Sequence, residues 1–254
     1  MKIHMLGTST SQGVPVIGCS CEVCQSSDPR DSRLRSSVVV EQDGRYLLFD
    51  TGPDLRQQML AGLIPRIDAV LYTHEHNDHV IGLDDIRPYN FKQKEELPLY
   101  GLPRVMDEVE RRFSYAFGDG GYPGAPRATK HYITGDESLQ LVGMEVTPIH
   151  IVHGRLAILG YRVGSMAFIT DASAIAEREL QKLQNLDVLI INALRMSQHP
   201  AHFSLSEALE VIKQVQPRTS YITHVSHYMG KYEDWASQLP ADVFGAYDGL
   251  VVEI

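Results

Sequence analysis

The segment "THEHNDH", residues 73–79, holds three histidines and two carboxylates and directly follows the apolar run Ala69-Val70-Leu71-Tyr72. In an extended chain, residues two apart point the same way, so His74 and His76 can grip one cation together. Asp78 and His79 come where the chain turns into a short helix, and they aim at a second point nearby. The pattern His-x-His-x-Asp-His therefore has the geometry for two adjacent divalent ions. Two ions need more donors than four side chains supply. Three further candidates each follow an apolar strand: His153 after 146–151, Asp171 at the end of "MAFITD" and His224 at the end of "SYITH". A rigid strand end is where a ligand can be held in place. Taken singly, Asp171 reads as a helix N-cap and the two histidines as loop residues; their shared position on three strands argues for one site. The chemistry such a set supports is metal-assisted hydrolysis.

The three cysteines, Cys19, Cys21 and Cys24, fall as C-x-C-x-x-C. An odd, clustered set argues against a disulfide framework and for a metal. Soft thiolates suit tetrahedral zinc, which needs one more nitrogen or sulfur donor. A zinc clip around 13–27 would offset poor packing in the Ser-, Gly- and Pro-rich stretch 7–34. Farther on, Ser204 and Glu207 in "PAHFSLSEAL" have capping-box spacing, which predicts a helix from Leu205. His202 then stands beside a helix N-terminus, where free N–H groups attract anions. A histidine of ordinary pKa can also deliver a proton at neutral pH. His199 competes with it less well, and His150 reads as strand packing.

The elements that must position these residues follow from periodicity. Strands are predicted at 2–6, 37–41, 46–49 and 67–72, with a turn at Asp43-Gly44 and helices at 53–61 and 103–113. The loop 115–127, "YAFGDGGYPGAPR", is rich in glycine, proline and aromatics and reads as packing or as a lid. Strands at 139–142, 144–150, 156–163 and 166–170 come next. Helices at 174–184, 205–215 and 228–238 then alternate with strands at 187–191, 219–223 and 250–254. Strand clusters in each half with helices between and after them suit an α/β fold, an αββα four-layer sandwich. No linker or composition break divides the chain, so residues 1–254 are expected to form one domain.

Composition narrows the function classes. Lys plus Arg is 23 and Asp plus Glu is 32, so the net charge is 23 − 32 = −9. Phosphate neutralisation needs clustered Lys and Arg, so a nucleic-acid polymer is not the expected partner. A small phosphorylated substrate stays compatible, because bound cations supply the local positive charge. No apolar run approaches the ~20 residues of a membrane span. The first predicted strand begins almost at Met1, leaving no room for a leader, so a cytoplasmic location is expected. A homodimer stays open.

Asp50 and Gly52 in "LLFDTG", with His74, His76, Asp78, His79, His153, Asp171 and His224, make the chain resemble the metallo-β-lactamase superfamily from end to end. The resemblance implies that His74, His76 and His153 hold a first metal, that Asp78, His79 and His224 hold a second, and that Asp171 bridges them. It implies for Asp50 an orienting role behind the histidine loop. Glu75 and Asn77 fill variable positions and are expected to meet solvent or backbone. "GVP" at 13–15 before "CSCEVC", together with "THVSH" at 223–227, is similar to the PhnP-type cyclic-phosphate phosphodiesterases. That likeness makes His227 the fourth ligand of a structural zinc and His202 a catalytic residue that contacts phosphate or protonates the leaving group. It also implies hydrolysis of a small cyclic phosphodiester, a ribosyl 1,2-cyclic phosphate or a 2′,3′-cyclic nucleotide, by a hydroxide activated between two divalent ions. Imidazole and carboxylate donors suit zinc, manganese or iron there. Two alternatives remain. One is another hydrolase of the fold, acting on a thioester, a lactone or a tRNA 3′ end. The other is an accessory or carrier protein like PqqB, whose sequence "GLDDIRPYN" at 82–90 resembles.

Overall fold

Along 38–49 the chain alternates: Val39 and Leu48 face one way, Val38, Val40, Leu47 and Phe49 the other, and all are buried. Strands apolar on both faces must be covered on both. The computed structural model describes residues 1–118 and 122–254. In it, β15 (Val251–Glu253), β1 (Lys2–Gly7), β2 (Ser37–Gln42), β3 (Arg45–Phe49), β4 (Ala69–Leu71), β5 (Leu97–Gly101) and β6 (Ala128–Tyr132) form one sheet in that order. The second sheet runs β11 (Ala174–Ile175), β8 (Met144–His153), β9 (Leu156–Val163), β10 (Met166–Ile169), β12 (Val188–Asn192), β13 (Thr219–Thr223) and β14 (Val243–Gly245), and β7 (Leu139–Leu141) also pairs with β8. The inner faces interlock: the Phe49 ring lies 5.5 Å from Phe168 and 5.8 Å from Tyr161. Outside the first sheet, α1 (Leu55–Ala61) and α4 (Pro103–Arg112) bury Leu55, Met59, Val105, Met106 and Val109. Outside the second, α6 (Leu205–Val215) and α7 (Tyr232–Ala236) bury Ala208, Val211, Val215 and Trp235. This is the expected αββα sandwich.

Strand direction places the site. β3 to β6 run parallel to one another, as do β10, β12, β13 and β14. β8 and β10 both run antiparallel to β9, so β8 points the same way as β10. Within each sheet the carboxyl ends of these strands, β3 and β4 in the first and β8, β10 and β13 in the second, therefore share an edge. The two edges meet: Asp50 after β3 bonds His79 after β4, and His79 lies against Asp171 after β10, at the kind of edge where α/β sheets bind ligands.

The expected helix at 174–184 is replaced by β11, which uses the free edge of β8, followed by the short α5 (Glu177–Leu180). The expected helix at 228–238 is broken at Gly230, whose φ of 98° no right-handed helix accommodates, and only α7 remains beyond it. β5, β6 and β14 were not foreseen: Pro98 interrupts the alternation of β5, and "ATKHY" of β6 is polar because it is an edge strand. Among the described residues, no helix is long and apolar enough to cross a membrane.

Two glycines let the segment after β3 press against the histidine loop. A Cβ on Gly52 would sit 2.4 Å from the Asp78 carbonyl oxygen, and one on Gly82 would sit 1.9 Å from that of Gly52. The same contact is stitched by Thr51 N–H donating to the His79 carbonyl at 2.7 Å and Gly82 N–H to that of Thr51 at 2.8 Å. Gly52→Ala is expected to cost about 2 kcal/mol through overpacking. That corresponds to a fall of roughly 4–8 °C in the thermal midpoint. An unchanged midpoint would mean that the loop shifts without cost.

Candidate metal centre

Asp50, Asp171 and His224 each follow a strand and each take a left-handed backbone, with φ of 61°, 58° and 57°. Left-handed conformations strain non-glycine residues and persist where the surroundings over-determine them. Around Asp171, buried Asn192 at the end of β12 does this: its side chain accepts from Ala172 N–H at 2.7 Å and donates to the Ala172 carbonyl at 3.0 Å. Around His224, Val225 N–H donates to the Thr8 carbonyl at 2.9 Å, and Ser226 N–H to that of Leu194 at 3.0 Å.

The structure brings all the candidate ligands together in two overlapping sets. Nitrogens of His74, His76 and His153 converge within 4.8 Å of one another, and so do ligand atoms of Asp78, His79 and His224. Asp171 links them: it converges with His74 and His79 in one group and with His153 and His202 in another, with Oδ2 3.3 Å from His79 Nε2 and Oδ1 3.1 Å from His224 Nε2. His153 Nδ1 is 2.7 Å from the Ala201 carbonyl, and His74 Nδ1 is 3.0 Å from Thr73 Oγ1. Each such contact fixes a ring and turns its other nitrogen toward the cluster. Fully buried Asp50 organises the far side. It receives Thr73 N–H at 2.8 Å, the Thr73 hydroxyl at 2.9 Å and His79 Nδ1–H at 2.7 Å.

The electrostatics ask for positive charge. Burial disfavours a charged His79, yet the Asp78, Asp171 and Asp50 carboxylates drive its pKa well above that of a free imidazole. Burial likewise opposes ionised Asp171, but His224 and His79 hold the carboxyl well below the usual carboxylate range. His79 Nε2, both ring nitrogens of His224 and His202 Nδ1 are buried without a hydrogen-bond partner among the described residues. Leaving such atoms unpaired costs about 1–3 kcal/mol each. A cation between them and the carboxylates would satisfy the His79 and His224 Nε2 atoms, so the donor set fits divalent metal.

His202 joins this site. Its ring centroid lies 4.6 Å from that of His153 and 5.0 Å from that of His224, and its Nδ1 is 3.7 Å from Asp171 Oδ1. The capping box of α6 is present, with Ser204 Oγ accepting from Glu207 N–H and Glu207 bonding back to Ser204 N–H. Leu205 N–H donates to the Arg195 carbonyl, so the helix start is largely occupied, and His202 rather than the helix faces the site. Burial, with His224 beside it, pushes His202 down to about 3, well below the ordinary value expected from the sequence. His202 is thus neutral at pH 7 in these surroundings. In the loop expected as packing or a lid, Tyr115 donates to Asp84 Oδ1 at 3.0 Å and, with Phe117, packs on the outer helices; residues 119–121 lie outside the described residues. Asp84 also lies 4.0 Å from Arg87.

At the second cluster, His227 Nδ1 lies 3.4 Å from Cys19 Sγ, 3.5 Å from Cys21 Sγ and 3.4 Å from Cys24 Sγ. A zinc tetrahedron with bonds of about 2.0–2.3 Å has nitrogen–sulfur edges of roughly 3.5 Å. These four residues fit zinc. Thr73 and Asn192, which hold the main site's geometry, escaped sequence reading; the one available signal was their place at the carboxyl end of an apolar run.

Comparisons with known proteins agree with this geometry. Residues 45–225 match the family model described as the β-lactamase superfamily domain. A protein from Porphyromonas gingivalis named octanoyltransferase is 40% identical over 252 residues, 98% of this chain, and the chain spans about half (51%) of that relative's length. A crystal structure described as a new diphosphatase from the PhnP family superposes with a TM-score of 0.92 at 39% identity, over 100% of this chain and 97% of that one. Zn²⁺-bound PqqB from Methylobacterium extorquens shares the fold, with a TM-score of 0.82 at 20% identity over the full length of both chains. With its ligand-bearing strand ends inside the matched domain and a PhnP-family structure covering its whole length, this chain belongs to the metallo-β-lactamase superfamily, within its PhnP family.

Proposed function

We propose that the chain is a metal-dependent hydrolase that cleaves a small cyclic phosphodiester, a ribosyl 1,2-cyclic phosphate or a 2′,3′-cyclic nucleotide. The observation that carries this reading is the placement of Asp171 between two converging donor triplets, with His202 against the same carboxylate. His74, His76 and His153 would hold one divalent ion and Asp78, His79 and His224 the other, with Asp171 shared; zinc, manganese and iron all suit the donors. Such a pair supplies Lewis-acid polarisation of the phosphoryl group and ionises water near neutral pH.

The protein's own groups do the rest. Asp50 keeps a proton on His79 Nδ1, so His79 presents Nε2 to the centre. The Ala201 carbonyl does the same for His153. His202, whose Nδ1 has no hydrogen-bond partner among the described residues, can donate a hydrogen bond to a phosphoryl oxygen. The negative charge of a bound phosphodiester favours uptake of a second proton from solvent, and that imidazolium is the form that gives a proton to the departing alkoxide. A net charge of −9 leaves recognition to this local site rather than to surface steering, which suits a small substrate better than a polymer.

A second reading comes from the PhnP-family structure described as a diphosphatase: the scissile bond could be a phosphoanhydride. Assays of metal-loaded protein on bis-p-nitrophenyl phosphate, 2′,3′-cyclic nucleotides and a nucleoside diphosphate separate the two. Turnover of the diesters alone supports the proposal, and no diester turnover at full metal content sinks it. His202→Ala is expected to lower kcat on a poor-leaving-group diester by about 10²-fold with metal content unchanged. An equal loss on a p-nitrophenyl leaving group, which needs no proton, would count against the acid role.

A further inference from the structure

Glu75 and Asn77, the two non-ligand positions inside the histidine loop, were expected to meet solvent or backbone. Both instead meet arginines of α4. Arg104 Nε lies 2.9 Å from Glu75 Oε1, and its Nη2 donates at 3.1 Å to Glu75 Oε2 and at 2.9 Å to the Ala157 carbonyl. Ala157 pairs with Val152 in the β8–β9 hairpin, one step from His153. One guanidinium thus spans the loop that bears His74 and His76 and the hairpin that bears His153. Arg112 Nη1 donates to Asn77 Oδ1 at 2.8 Å, while its Nε is held by Glu108 at 2.8 Å. The helix is a firm base, because Val105, Met106 and Val109 are fully buried.

His76 needs such a support. It is exposed, unlike His74, and it stands at the N-cap of α2 (Asn77–Val80) without a side-chain capping bond. Its two chain neighbours are the residues that α4 holds. We propose that Arg104, assisted by Arg112, is a positioning residue that sets the distance between His76 and His153 and so tunes metal affinity at the three-histidine half of the centre. This rests on the reading of that cluster as a metal site. Because Glu75 neutralises the guanidinium, the contact adds no net charge beside the cation. A partly exposed pair of this kind contributes little to folding. Changes to contacts behind metal ligands instead weaken metal binding by about 10–100-fold. Lysine can reach one of these acceptors but cannot reproduce the fork.

The test is release of zinc from the zinc-loaded protein by a competing chelator, followed by elemental analysis, for wild type, Arg104→Met, Arg104→Lys, Glu75→Gln and the Glu75→Gln/Arg104→Met pair. Retention of the zinc held by the cysteines is the internal control for fold. The expected result is release of active-site zinc from Arg104→Met at roughly ten-fold lower chelator. Arg104→Lys should fall between it and wild type, and the double variant should be no worse than the single ones. Release curves that match wild type, or losses that simply add, overturn the inference. Wild type that binds no zinc beyond the cysteine site overturns the reading of the centre itself, and this inference with it.

Discussion

Asp171→Ala is expected to reduce diester turnover by about 10³-fold or more and to lower the metal content of the main centre, while the cysteine-bound zinc stays in place. Among the described residues, Asp171 is the carboxylate that reaches both halves: it converges within 4.8 Å with His74 and with His153 on one side, and lies 3.3 Å from His79 Nε2 and 3.1 Å from His224 Nε2 on the other. Its removal takes away the shared negative charge and leaves His79 facing Asp78 alone across the centre. Metal-centred stabilisation is worth several kcal/mol of transition-state energy, and about 4 kcal/mol corresponds to about 10³ in rate. Asp171→Asn keeps the shape and one neutral oxygen, so it should bind more metal than the alanine variant and stay nearly as slow. Steady-state kinetics joined to elemental analysis reads both effects. An alanine variant that turns over normally with two ions bound would remove the basis for a shared centre.

Replacing Cys19 and Cys24 by serine is expected to give the largest loss of stability. The local apolar cluster holds little beyond Val14, Val23 and Cys24, with Val16, Cys19 and Cys21 packed at its edge. The segment therefore has almost no core of its own, and metal binding must supply its order. Zinc-finger peptides gain about 10–16 kcal/mol from their ion. Here the rest of the fold persists without it, so a loss of about 3–5 kcal/mol is the scale expected on removing a structural tie of this kind, or roughly 10 °C in midpoint. The effect should also reach the main centre. His227 stands three residues after His224 in one chain segment, and the intervening Val225 is bridged to Ser9. Hydrogen exchange should accelerate over 13–27, and chelator should release active-site metal more readily than from wild type. Unchanged exchange over 13–27 in the double serine variant would show that the loop is held by something other than zinc.

How much of this was legible beforehand depends on distance along the chain. His74, His76, Asp78 and His79 are written within six consecutive residues, and the three cysteines within six more; local spacing alone marks them as metal-capable. The αββα layering was readable because strands cluster in each half of the chain with helices between and after them. The short or edge strands β5, β6 and β14 were not, since an edge strand can be polar and pairing rather than propensity makes it a strand. The same limit hid β11, which read as the start of a helix until the open edge of β8 claimed it.

Residue type and local spacing, then, determined which side chains were able to bind metal, that thiolates and imidazoles would divide into two kinds of site, and that strands would carry the ligands. The tertiary structure alone decided which atoms meet. Asp50 reaches His79 across 29 residues and His227 reaches Cys19 across 208, separations over which no periodicity in the chain carries information. It also decided protonation. The ordinary pKa of a histidine belongs to solvent, whereas His202 takes its value from burial among His153, His224 and Asp171. The Arg104 strut belongs to this second kind. A charged residue on a helix face reads as solvated until folding places a carboxylate and a backbone carbonyl at the two prongs of its fork.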